Sequence, residues 1–155
     1  SWRQSRLNEQ MSQKALSNIT REILENRAAI DAVLPTHMAL LETLQGDDPP
    51  SGIDPSPAFI QDNAWDAAQA MDAVPYMDTD VVSIASRIHE NQRQYQGIVA
   101  MINEVMLVET FHADESAISS GRIHDGLTVV VAHLTRLEMR LSQQYEEFLE
   151  LGTTD

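Results

Sequence analysis

Cysteine is absent from the 155 residues, which excludes a disulfide framework and a thiol nucleophile. Strand-type alternation is nearly absent as well, leaving an all-helical domain as the natural class. No apolar run reaches the roughly twenty residues that a membrane span needs, and no signal peptide lies within the sequence. The glycine-rich phosphate loop, the Gly-x-Gly-x-x-Gly turn and the Gly-x-Ser-x-Gly elbow are all missing. Positive charge is scarce and unevenly placed. Residues 28–86 contain no Lys or Arg against ten acids, and residues 87–155 hold five basic and eleven acidic side chains. Only residues 1–27, with five basic and three acidic, have a positive balance in a chain of net charge −14. Such a field repels nucleic acid, and it repels anionic lipid everywhere but at the N-terminal end.

What remains is helix. A chain of this length suffices for one domain that buries about 70% of its unfolded surface. From Asp78 to His112 the apolar residues Val81, Ile84, Ile88, Tyr95, Ile98, Ile102 and Val105 keep steps of three and four, with Asn91 taking one turn. Asp78 suits the cap, and Gly97 marks an expected close helix crossing. A first helix is expected from Arg3 to Gln45, kinked near Pro35, on a stripe through Leu16, Ile19, Ile23, Asn26, Ile30, Val33, His37, Leu40 and Leu44. Its polar first turns, within residues 1–15, read as a juxtamembrane extension. Residues 46–57, with four prolines and two glycines, form a linker, and the spacing of Asp47, Asp48 and Asp54 is not that of an EF-hand loop. A short helix over Ala64–Ala73, with Asn63 as its cap, carries Trp65. A last helix over Arg122–Leu151 keeps a near-heptad seam through Leu127, Val130, Leu134, Leu137, Leu141, Gln144 and Phe148. The expected architecture is therefore a single domain over 1–155, an antiparallel helical bundle of three long helices and one short one.

Chemistry is sparse. Asn26, His37, Asn91 and Gln144 fall on apolar seams, where buried polar groups need partners and commonly fix register. The competing reading is a small-molecule pocket between helices at Asn26, Asn91 and Tyr95, with Trp65 either a core anchor or a stacking platform. Glu109-Thr-Phe-His112 has the Glu-x-x-His spacing of helical di-metal proteins, but no other histidine has a glutamate three residues before it. His89-Glu90 opens like a zinc-protease motif, yet Arg93 stands where the second histidine belongs. No catalytic, cofactor-binding or metal-ligating residue is assigned, and no cofactor is expected.

Trp2-Arg3-Gln-Ser-Arg6, Ile23-Leu-Glu-Asn26-Arg27, Asn63-Ala-Trp65 and Tyr76-Met77-Asp78 resemble a group of uncharacterised bacterial single-pass inner-membrane proteins with a helical periplasmic domain. The resemblance spans about the first hundred residues. It implies a membrane anchor upstream of Ser1 and a periplasmic location, the alternative being a cytoplasmic protein without an anchor. It brings no activity and no functional residue. The expected function is a non-enzymatic bundle acting through a protein partner or as a homo-oligomer. A sensor domain that binds a small ligand between its helices is the alternative.

Overall fold

The computed structural model describes residues 1–47, 55–111 and 117–152, with the helix ends 108–111 and 117–123 described as backbone. Four helices follow in order: α1 (Trp2–Gln45), α2 (Asn63–Ala70), α3 (Thr79–Phe111) and α4 (Ala117–Leu151). A single 3-10 turn at Val74–Tyr76 separates α2 from α3, and the described residues contain no strand. The fold is the all-α bundle that the periodicity predicts.

α4 is the central column, packed along one side by α1 and along the other by α3. Two staggered rows of residues on α4 serve these two neighbours. The expected seam supplies Leu127, Leu134, Leu137, Leu141 and Phe148, but Val130 and Gln144 are only half-buried. A second row at steps of three and four, Val131, Leu134, Glu138, Leu141, Tyr145 and Phe148, is fully enclosed. α4 also starts earlier than the Ser119-Ser120-Gly121 sequence suggests, since α-helix is already established at Ala117.

α1 passes through Pro35 as one helix, although Pro35 has no N–H to give to the Asp31 carbonyl. Its 44 residues span about 66 Å, some 14 Å more than α4 can cover. The surplus lies at the N-terminal end. Burial begins at Ala15, while Trp2 and Leu7 are 72% and 53% exposed. Within this projecting segment, Arg6 stacks 4.8 Å from the Trp2 ring centroid and Gln4 bonds Asn8.

The fourth column is a composite. An extended strap, residues 55–62, descends antiparallel to α1 and leads into α2. His37 meets the strap at Ser56, and Asn26 meets it at Gln61. Eleven helical residues rise about 16 Å, and five residues of extended chain span about 17 Å. The strap thus retraces α1 at its own, longer rise. Its side chains alternate accordingly, with Ala58 and Ile60 buried and Phe59 83% exposed between them. This resolves how a short α2 faces so long an α1: the end of the expected linker is structural.

The helix ends are set locally. Asp78 caps α3, its Oδ1 accepting from the Asp80 and Val81 amides at 2.9 and 3.3 Å. The expected Asn63 cap of α2 is corrected. The N-cap position is Asp62, which makes no side-chain cap bond, and Glu22 of α1 accepts from the Ala64 amide at 3.0 Å instead. α2 closes in a Schellman arrangement, with Asp72 and Ala73 amides returning to the Gln69 and Ala68 carbonyls. Gly97 is exposed, and a Cβ built on it meets nothing within 4 Å. The expected close crossing there is wrong, because Gly97 faces away from α4 and from the strap.

Candidate functional site

The interior contains a chain of polar side chains that the apolar stripes enclose. His37, from α1, and Glu138, from α4, are 1% and 0% exposed. The His37 Nδ1 lies 2.7 and 2.9 Å from the two carboxylate oxygens, and Nε2 lies 3.0 Å from the Ser56 carbonyl. Both ring nitrogens therefore face acceptors, and a ring that donates to both at once has a proton on each, as an imidazolium does. Tyr95, from α3, donates to Glu138 Oε2 at 3.2 Å and accepts from the Ala58 amide at 3.0 Å. Burial, and then the neighbouring Glu138 charge, push the Tyr95 phenol far above its usual range. One carboxylate thus ties together three helices and the strap.

A second polar layer lies one strap-length below. Asn26 donates its amide to the Gln61 carbonyl at 2.6 Å and accepts from the Gln61 N–H at 2.9 Å. Gln92, on α3, donates to the Tyr145 hydroxyl of α4 at 3.0 Å, and Asn91 donates to Gln144 at 2.8 Å. Burial pushes the Tyr145 phenol up to about 12, against the opposing hydrogen bonds with Gln92 and Asn26.

The four candidate pocket residues are thus divided among different partners. Asn26 binds strap backbone, Asn91 binds Gln144, and Tyr95 joins the His37–Glu138 pair. Trp65 sits in the hydrophobic core cluster at 8% exposure, as a core anchor would. A cleft of about 390 Å³ among the described residues lies elsewhere, between α1 and α2. Asn18, Arg21, Glu22 and Glu25 line it from α1, with Ala64 and Ala67 opposite. Burial pushes the Glu22 carboxyl up, opposed by the Ala64 and Asn63 backbone donors.

His89 reaches Asp66 of α2 at 3.4 Å, while its Nδ1 is buried without a bond. Among the described residues, no three His, Cys, Asp or Glu side chains converge on a metal-sized site. His112, Asp48 and Asp54 lie outside the described residues, and the Glu109 side chain lies outside those described. Chemically, the His37–Glu138 pair is poorly placed as a general base, since each ring nitrogen is already directed at an acceptor.

Sequence reading missed Glu138, Gln92 and Tyr145. Glu138 looks like one more charge on an acidic helix, but it stands seven residues after Val131 and seven before Tyr145, in the second seam. That heptad spacing is the signal that would have found it. Comparison with protein-family models, curated proteins and solved structures finds no match in any of the three.

Proposed function

We propose that the protein is a non-enzymatic helical module, tethered at a membrane through its α1 end on the periplasmic side, that works through protein contacts. The observation behind this reading is the reach of α1. One unbroken helix runs from an exposed, basic, tryptophan-bearing end into the core, with apolar Trp2 and Leu7 left uncovered where the other helices have stopped. A Trp beside Arg3 and Arg6 suits a bilayer interface, and the acidic remainder of the chain stays clear of anionic headgroups. No described helix is itself long and apolar enough to cross a membrane. The tether in this reading is a segment joined to α1. The test is expression from the native reading frame, followed by fractionation and protease accessibility. Recovery in a salt-resistant membrane fraction, digestible from the periplasmic side, supports the reading, and recovery in the soluble fraction overturns it.

A second reading, ligand sensing, draws on the α1–α2 cleft with its half-buried Glu22. A thermal-shift screen of amine- and amide-bearing metabolites tests it. Stabilisation that Glu22→Gln abolishes supports this reading, and no shift with any compound removes it.

A further inference from the structure

At its N-terminal end α1 stands clear of the other elements. From Trp2 to Met11, the first side chain packed against the hydrophobic core, the helix rises about 14 Å with Trp2 and Leu7 exposed. Arg3, Arg6 and Lys14 make no ion pair among the described residues, and Arg6 lies 4.8 Å over the Trp2 ring. Residues 1–14 hold three basic side chains and one acid, a balance of +2 in a chain of net charge −14, so the remainder carries −16. Positive charge is at the tip, and negative charge lies behind a stretch of bare helix.

We propose that this projecting end docks on anionic phospholipid headgroups and acts as a stand-off, holding the acidic body away from the membrane's own negative charge. The proposal rests on the membrane reading above and supplies its partner. Arg3 and Arg6 meet the phosphates, and the Trp2 ring, with the Arg6 guanidinium stacked on it, enters the headgroup boundary.

The length of the bare helix decides whether this works. At physiological salt the field decays over about 8 Å, so across about 14 Å the surface potential falls to roughly a sixth. The acids of the body then meet little repulsion. Arg3 and Arg6, at the surface, keep their attraction, about fivefold in partitioning per basic side chain. At about 0.01 M salt the decay length is about 30 Å, more than half of the potential reaches the body, and −16 outweighs +2. Near 1 M, with a decay length of about 3 Å, the attraction at the tip is screened as well. Binding therefore passes through a maximum in salt. A basic segment without an acidic body behind it loses affinity steadily as salt rises.

The test is co-sedimentation of the 155-residue protein with vesicles of phosphatidylcholine, with and without phosphatidylglycerol, across this salt range. Binding is expected on the anionic vesicles, strongest near physiological salt and weaker at both extremes. It should come with a blue shift in tryptophan emission that Trp2→Phe removes. Arg3→Gln combined with Arg6→Gln is expected to weaken binding about thirtyfold, the worth of two basic side chains at an anionic surface. The melting temperature should not move, because both residues are exposed. Equal binding to both vesicle types, a steady fall from the lowest salt, or binding that the double change leaves intact overturns the proposal. So does self-association without vesicles that the same change abolishes, which assigns the basic end to the acidic surface of a second copy. Membrane recovery in the fractionation experiment with no vesicle binding removes this inference alone and leaves the tether standing.

Discussion

The side chain of Asn26 on α1 makes two hydrogen bonds to the backbone of a single strap residue, Gln61, one to its carbonyl and one to its amide. An asparagine in the middle of an apolar stripe is thus matched to a backbone that has no sheet to join. Only a side chain with a donor and an acceptor side by side can do this.

Asn26→Ala is therefore expected to cost about 1–3 kcal/mol, since it leaves two partly buried backbone groups without their side-chain partner. Asn26→Asp keeps the acceptor for the Gln61 amide but turns a carboxylate oxygen toward the Gln61 carbonyl at a buried position. At neutral pH it should therefore cost at least as much as the alanine variant. Urea unfolding measures both. An alanine variant within 0.5 kcal/mol of the parent, roughly the effect of a surface change, would show that the strap is not anchored there.

The pair of His37 and Glu138 should behave as one unit. Glu138→Ala removes the buried carboxylate that the His37 ring and the Tyr95 hydroxyl both bond, at an expected cost of about 3–5 kcal/mol. The double replacement His37→Leu with Glu138→Leu should cost less than the two single changes added, with a coupling on the order of 2 kcal/mol. Additive losses in the double-mutant cycle would count against a charged pair.

How much of this was legible beforehand differs by level. The helices and their buried stripes on α1 and α3 follow from periodicity, because the burial of Ile19, Ile23, Ile30, Ile84, Ile88 and Ile102 is a matter of spacing alone. Asn26, His37 and Asn91 stood out because each interrupts such a stripe. Gln144, the partner of Asn91, stood out for the same reason. The strap partners of Asn26 and His37 did not, since Gln61 and Ser56 meet them through backbone groups that any residue type offers. Glu138 was hidden by its charge, and α4's second seam by the expectation that a helix has one buried row. A central helix has two. The extended strap was concealed by proline content: Pro55 and Pro57 forbid helix and so read as loop, whereas an extended chain accommodates them and is packed down.

Gly97 supplies a simple check on which face of α3 is covered. With open space where its Cβ would stand, Gly97→Ala should stabilise the protein by up to about 1 kcal/mol through helix propensity. Gly97→Leu should also fold, raising the melting temperature or leaving it unchanged. A substantial drop with leucine would restore the close crossing that the structure removes.

Asp72 holds the left-handed position after α2, with φ of 54°, while the buried Ala73 completes the Schellman closure. An aspartate is tolerated there, but glycine has no Cβ to oppose it. Asp72→Gly is expected to raise stability by roughly 0.5–1 kcal/mol, net of the extra freedom glycine has when unfolded. A lowered thermal midpoint would mean that the Asp72 side chain contributes more than its backbone strain costs.

Two buried phenols set the response to alkali. Tyr95 and Tyr145 both have folded-state values raised above the usual 10, with Tyr145 at about 12. The sign follows from proton binding. Above the unfolded value the unfolded chain releases these protons while the folded chain keeps them, so stability is full below about pH 10 and falls as pH rises beyond it. Each tyrosine contributes a slope of about 1.4 kcal/mol per pH unit, until Tyr145 itself ionises near 12. Unfolding free energies measured at stepped alkaline pH should show both contributions, and phenolate absorbance should appear together with loss of helicity. Tyr145→Phe should remove one share of the slope while lowering stability at neutral pH, because Gln92 loses its partner. If the slope is the same in Tyr145→Phe and in the parent, the Tyr145 phenol ionises without unfolding, and the Gln92 layer is open to water.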